Sequence, residues 1–263
     1  MIDCLKHIIF SNTNIPLTCK TLYKNFKQPF NDVSEHIIKY KGYFNQEYYN
    51  KIIENIDLYG LDVYIDEFEY IGRIEHFNLF GLENLVCVDL SYTSLKTIYI
   101  PPNSLNKLFV LNLSGNNLTD FIIPKNALLN LKELKLTDNY ISKICFSKNI
   151  FSNLKVLCLD SNKIQGIGFD GIYLPKLKYL KLQDNRIKNI EFISQFPSLR
   201  KLYLYHNNIE SMHIIPYCFP KLLKLDLTNN ELSNLILHKT SFGELERLYL
   251  KNNYLIGRLY IYQ

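Results

Sequence analysis

Leu131-Lys132-Glu133-Leu134-Lys135-Leu136-Thr137-Asp138-Asn139-Tyr140-Ile141 is one copy of a sentence written eight times in this chain. With the asparagine slot as marker, the copies fall at Thr93, Asn116, Asn139, Asn162, Asn185, Asn207, Asn230 and Asn253. Successive markers are 23, 23, 23, 23, 22, 23 and 23 residues apart. A fixed period of this length is the signature of a solenoid, in which each copy buries its apolar face only against its neighbours. The paired leucines, as in Leu111/Leu113, Leu134/Leu136, Leu157/Leu159, Leu180/Leu182 and Leu202/Leu204, have the period of a strand. They point inward and their flanking residues point outward. Stacked in parallel, such strands build one sheet, each about 4.8 Å from the next. Where the chain leaves each strand, backbone N–H and C=O groups are buried without ladder partners. An Asn amide both donates and accepts, so the column Asn116, Asn139, Asn162, Asn185, Asn207, Asn230 and Asn253 is expected to satisfy those groups from copy to copy. Thr93 can do only part of this.

The return half of each copy alternates in the same way. Ile98/Ile100, Phe121/Ile123, Ile144/Phe146, Ile167/Phe169, Ile190/Phe192, Met212/Ile214 and Leu235/Leu237 predict short extended segments on the convex side rather than full helices. Pro101, Pro124 and Pro216 turn the chain after them. A further core column runs through Leu105, Leu128, Phe151, Leu174, Phe196, Phe219 and Phe242, and Phe196 arrives one residue early, which locates the single 22-residue spacing. The pattern L-x-x-L-x-L-x-x-N-x-L over about two thirds of the chain resembles the intracellular leucine-rich repeat proteins. The resemblance implies an α/β-type repeat solenoid, an arc with a parallel concave sheet, short extended convex segments and a concave face that binds proteins.

Before the array the periodicity fades. Residues 1–57 are read as a small helical N-terminal cap, 58–81 as a degenerate first repeat containing the strand-like Val63-Tyr64-Ile65, and 82–263 as the eight-repeat array. The cap contains four short helical signals. Asp3 caps the first, Pro16 opens the second, and Asp32-Val33-Ser34-Glu35 resembles a capping box that starts a third over Val33 to Lys41. Asn45 starts a fourth, with Tyr48, Ile52, Ile53 and Ile56 as its stripe. Within 1–26, Leu5-Lys6-His7-Ile8-Ile9-Phe10 followed by Leu17-Thr18-Cys19-Lys20-Thr21-Leu22-Tyr23-Lys24-Asn25-Phe26 resembles a degenerate F-box. The opening Leu-Pro of that family is missing and the gap between the two halves is short. The resemblance implies docking on the adaptor of a cullin ubiquitin ligase, with the repeats holding the substrate. A cap over the apolar edge of the first repeat is the alternative, and one segment can do both. With its Asn-, Ile-, Lys- and Tyr-rich composition, the chain is similar to the F-box and leucine-rich repeat proteins of protists and large DNA viruses, which implies redirected host ubiquitination.

Composition narrows the function. The net charge is +5 and nearly half the residues are apolar, enough for a continuous core. No apolar stretch of membrane-spanning length occurs, and Met1 to Phe10 lacks the pattern of a signal peptide, so no membrane contact is expected. The six cysteines form neither a C-x-x-C nor a terminal cluster, which favours a reduced, intracellular setting: the cytoplasm, and the host's cytoplasm if the source is viral. No phosphate-binding loop, nucleophile elbow or zinc-protease motif is present, the six histidines are scattered, and neither a cofactor, a metal nor catalysis is expected.

The outward strand positions change character along the array. They are mixed up to Asp160, with Cys87 and Cys158 on the exposed face, and basic and aromatic after Asn162. Tyr179, Lys181, Lys201, Tyr203, Tyr205, Lys224, Arg247, Tyr249 and Lys251 are therefore the candidate partner-binding residues, suited to an acidic or phosphorylated protein. Asp160 and Asp184 also face outward near strand ends, with no second carboxylate placed to suggest acid–base chemistry. Nucleic acid is the weaker alternative, because Asp184, Asp226 and Glu246 interrupt the basic field. The last copy has no dedicated cap, so self-association through that edge is a further expectation.

Overall fold

A computed structural model describes residues 37–40, 62–65, 75–79, 85–145, 151–169, 173–255 and 260–262. Its first strands are β1 (Ile37–Tyr40), β2 (Asp62–Ile65), β3 (His76–Asn78), β4 (Cys87–Asp89), β5 (Thr97–Tyr99) and β6 (Val110–Asn112). Then come β7 (Asp120–Ile122), β8 (Glu133–Lys135), β9 (Lys143–Cys145), β10 (Val156–Cys158), β11 (Tyr179–Lys181) and β12 (Asn189–Phe192). The last are β13 (Lys201–Tyr203), β14 (Ser211–Ile214), β15 (Lys224–Asp226), β16 (Ile236–His238), β17 (Arg247–Tyr249) and β18 (Tyr260–Tyr262).

Ten of these strands form one parallel sheet in the order β1-β2-β4-β6-β8-β10-β11-β13-β15-β17. The convex strands pair in twos, β3 with β5, β7 with β9, β12 with β14 and β16 with β18, and Gly168 bridges to Glu191. The chain is thus a parallel-sheet solenoid with short extended convex segments. Between the two sides lies a continuous core. Leu111, Leu134, Leu157, Leu180, Leu202 and Leu225 are register partners in successive strands, and all are fully buried. On the convex side, Phe169, Phe192, Phe196, Phe219 and Phe242 stack with ring centroids 5.0 to 5.8 Å apart, inside the range of favourable aromatic pairs. The short repeat is absorbed here. Ile190 pairs with Met212 at an offset of 22, and the concave register Tyr179↔Lys201 shifts with it without a bulge.

The asparagine column does what its chemistry dictates. Asn185 Oδ1 accepts from Ile164 N–H at 3.0 Å, and its Nδ2 donates to the carbonyls of Leu159 at 2.9 Å and Leu182 at 3.1 Å. Asn116, Asn139, Asn162, Asn207, Asn230 and Asn253 make the same accepted bond and the same two donated ones, and Asn116 also accepts from the N–H and Oγ1 of Thr93. Thr93, lacking the amide, bonds only within its own turn, to Leu90 O at 2.9 Å, and to Asn116. The residue before each marker is left-handed: Tyr92, Gly115, Asp138, Ser161, Asp184, His206, Asn229 and Asn252 have φ between 53° and 67°. Short polar residues and glycine tolerate that region best, which accounts for most of the column. At Gly115 a second reason applies, since a Cβ there would lie 2.2 Å from the ring of Tyr92.

The N-terminal cap requires a correction. The segment expected as a helix over Val33 to Lys41 contains β1, which pairs in parallel with β2 through Ile37↔Asp62 to Tyr40↔Ile65. Ile37, Ile38 and Tyr40 favour a strand, and the open edge of a parallel sheet offers ladder partners that a lone nine-residue helix lacks. The offsets Ile38↔Val63 and Val63↔Val88 are each 25 residues, close to the period of the array. Among the described residues there is no α-helix, only a 3-10 turn at Lys239–Ser241, so the helical cap has no support and the described chain is all-β rather than α/β. The other three expected helices and the F-box-like residues 1–26 lie outside the described residues.

Candidate functional site

From β4 to β17, each strand of the main sheet presents three outward side chains: its first residue, its third, and the second residue beyond its end. Strand pairing aligns them into rows that run along the array. The first-residue row reads Val156, Tyr179, Lys201, Lys224, Arg247 in register. The third-residue row reads Cys158, Lys181, Tyr203, Asp226, Tyr249. The row beyond the strand ends reads Asp160, Gln183, Tyr205, Thr228, Lys251, linked by bonds such as Ser161 N–H to Gln183 O at 3.0 Å and Asp184 N–H to Tyr205 O at 3.1 Å.

All nine candidate residues lie in these rows, and the structure gathers five of them closely. Lys224 is the centre. Its Nζ lies 4.8 Å from the ring centroids of both Tyr203 and Tyr249, and 3.3 Å from Asp226 Oδ2. Lys201 Nζ sits 5.6 Å from the ring of Tyr179. These cation–π contacts hold the ammonium groups over aromatic faces. Tyr205 meets Tyr203 edge-on at 6.4 Å and His206 at 5.3 Å. Lys181 is half-buried beside Cys158, while Arg247 and Lys251 are exposed at the last described strand of the sheet.

Three features were not legible in the sequence. Cys158, expected on the exposed face, is buried; loss of solvent pushes its thiol up to about 11, with Lys181 opposing that shift. Cys218, in the convex core, is pushed up to about 12 by burial. Neither thiol has the lowered pKa of a nucleophile. The outward carboxylates have partners in neighbouring side chains. Asp184 accepts from the His206 ring at 2.9 Å, and Asp226 takes up part of the charge of Lys224. The phenol of Tyr205 is raised above its ordinary value, by burial first and then by Asp184, Asp160 and Asp226 together. Finally, Gln183 is only 7% exposed although it belongs to the outward row, and its Oε1 has no hydrogen-bond partner. The alternation placed these residues on the face; how far neighbouring side chains would cover them depended on reach across strands, which a single repeat does not encode.

The leucine rich repeat family matches residues 107–126, 152–209 and 198–222, all within the array just described. Among solved structures, a leucine-rich repeat protein of Leptospira interrogans is similar at 25% identity and a TM-score of 0.46, over 72% of this chain and 57% of that one. YopM from Yersinia enterocolitica is similar at 21% identity and a TM-score of 0.34, over 74% of this chain and 51% of that one. The chain spans little more than half the length of either. No curated protein matches it in sequence. The family matches fall on repeats whose register and asparagine ladder are continuous, so the matched part of the array is built of leucine-rich repeats.

Proposed function

We propose that the chain is a non-catalytic scaffold whose protein partner docks on the C-terminal half of the concave face. Solenoids of this kind generally bind through such extended surfaces. The observation that carries the reading is the Tyr203–Lys224–Tyr249 cluster, which spans three neighbouring strands with Lys201 and Tyr179 continuing it. Tyrosine supplies large contact area with few rotors, and cations already held over aromatic rings lose little further freedom on binding. The partner segment is acidic where it meets Lys201, Lys224 and Arg247. The test is a pull-down with Lys201→Glu, Lys224→Glu and Arg247→Glu combined. Loss of the captured protein, with the fold intact by circular dichroism, supports the docking face; undiminished capture overturns it. A nucleic-acid ligand would instead reveal itself by a steep fall in binding with salt.

The likeness of residues 1–26 to an F-box supports a second reading, in which this segment binds a cullin-ligase adaptor. Adaptor co-purification that depends on those residues would support it, and its absence from the intact chain would end it.

A further inference from the structure

The residue just before each concave strand forms a row of its own. From β6 to β17 it reads Phe109, Lys132, Lys155, Lys178, Arg200, Leu223 and Glu246. Backbone bonds hold the row in line. Lys155 N–H donates to Lys132 O at 2.7 Å, Lys178 N–H to Lys155 O at 2.8 Å and Arg200 N–H to Lys178 O at 2.9 Å. Four cations thus stand on four successive strands about 4.8 Å apart, a row about 14 Å long. Strand alternation would turn this position inward. Lys155, Lys178 and Arg200 are nevertheless exposed, which puts the row on the rim where the chain enters the sheet, off the three concave rows. Lys132 is half-buried, with its Nζ 3.6 Å from the Phe109 ring centroid.

Among the described residues no carboxylate pairs with Lys155, Lys178 or Arg200. On the concave side the nearest row has one acid beside them, Glu133, and Lys135 holds it at 3.1 Å. On the outer side, three residues before each strand, stand Asn130, Asn153, Lys176 and Ser198. There Asn153 Nδ2 donates to Asn130 Oδ1 at 3.1 Å and Lys176 Nζ to Asn153 Oδ1 at 2.7 Å. The aspartates that break the basic field of the concave face, Asp184 and Asp226, lie toward the other ends of the strands. Glu246 closes the row only two strands beyond Arg200.

Four like charges at an even interval suit a thread that carries one anion on every unit. A phosphodiester backbone does so whatever its sequence. An acidic protein segment does so only where its carboxylates recur on one side. We propose that the strand-entry rim from Lys132 to Arg200 binds single-stranded nucleic acid through its phosphates, on a surface separate from the protein-docking face. A row one residue wide follows a single backbone, and long cationic side chains serve phosphate without reading the bases.

The test is fluorescence anisotropy of the full chain with a labelled oligouridylate, repeated across a range of salt. The logarithm of affinity should fall linearly with the logarithm of salt concentration. Lys155→Gln, Lys178→Gln and Arg200→Gln combined should lower the magnitude of that slope by about 2, from roughly 0.7 per phosphate contact on a single strand, and each alone by about 0.7. Circular dichroism checks that each variant is folded. Lys201→Gln, Lys224→Gln and Arg247→Gln combined, on the docking face, should leave the slope unchanged. Absence of binding at low salt, an unchanged slope in the rim variant, or an equal loss in the docking-face variant overturns the proposal. Equally tight binding of polyglutamate, or of phosphatidylserine vesicles, through the same three residues also overturns it. The protein-docking reading is decided separately by its pull-down, because the rim variant keeps Lys201, Lys224 and Arg247.

Discussion

The two halves of the concave face share one backbone and differ in what their side chains do with it. In β4 to β8, short polar groups satisfy one another. Asp89 accepts from Ser91 N–H at 2.9 Å, Ser91 Oγ at 2.6 Å and Asn112 Nδ2 at 2.9 Å, Asn112 accepts from Ser114 N–H at 3.2 Å, and Lys135 pairs with Glu133 at 3.1 Å. These polar groups find partners within the same half of the face. In β11 to β17 the same positions carry Tyr179, Lys201, Tyr203, Lys224 and Tyr249, whose ammonium groups lie over ring faces, beside Asp226, which takes Lys224 and Thr228 N–H, and Gln183, whose acceptor is unmet. A repeat fold can therefore hold one half of a face closed and leave the other open while the ladder beneath both is the same.

That contrast yields its own tests. The largest effect belongs to the ladder. Asn139→Ala and Asn185→Ala each orphan three buried backbone groups and should each destabilise by about 4 kcal/mol, from ~1–3 kcal/mol per group with partial relief by water. Urea unfolding should give the same loss in both; a clear difference would mean that the halves differ in their spine and not only in their surface. Next come the raised thiols. In a buried thiol the neutral form is favoured, so the stability it contributes is present below the ordinary thiol value and is lost as pH rises through about 11 for Cys158 and about 12 for Cys218. At pH 8 both should label at least about a hundredfold more slowly in the native chain than in denaturant, followed by mass spectrometry. Fast native labelling of Cys158 would return it to the exposed face.

Smaller effects separate the surfaces. Asp89→Ala leaves Ser91 and Asn112 without their acceptor and should cost about 2 kcal/mol, the range for hydrogen bonds to a charged group. Gln183→Leu should do the reverse, stabilising by about 1 kcal/mol, because it removes a buried acceptor that has no donor. A loss of stability at Gln183→Leu would show that the amide is already satisfied in the free chain, and the open half would then be as closed as the other.

The sequence disclosed the repeat because backbone chemistry enforces it: only an amide can serve the ladder, so Asn recurs every 22 or 23 residues where Thr93 alone departs. The convex strands were legible for the same reason, since alternation of Ile and Phe has no helical reading. β1 was misread because a local capping signal, Asp32 to Glu35, competes with an edge pairing to β2 that lies 25 residues away. Within the site, the tyrosines and lysines were visible one by one. The pairing of Lys224 with Asp226, the influence of Asp184 and Asp160 on the Tyr205 phenol and the burial of Gln183 belong to neighbouring strands together.

The most direct test of the docking claim is site-specific photo-crosslinking, with benzoylphenylalanine placed at Tyr203 in one preparation and at Asn112 in another. Both positions are third residues of their strands, on the same face. Crosslinks to one protein from position 203, with position 112 silent, are the predicted result. Crosslinks of equal strength from both, or from position 112 alone, would contradict a partner that uses the C-terminal half.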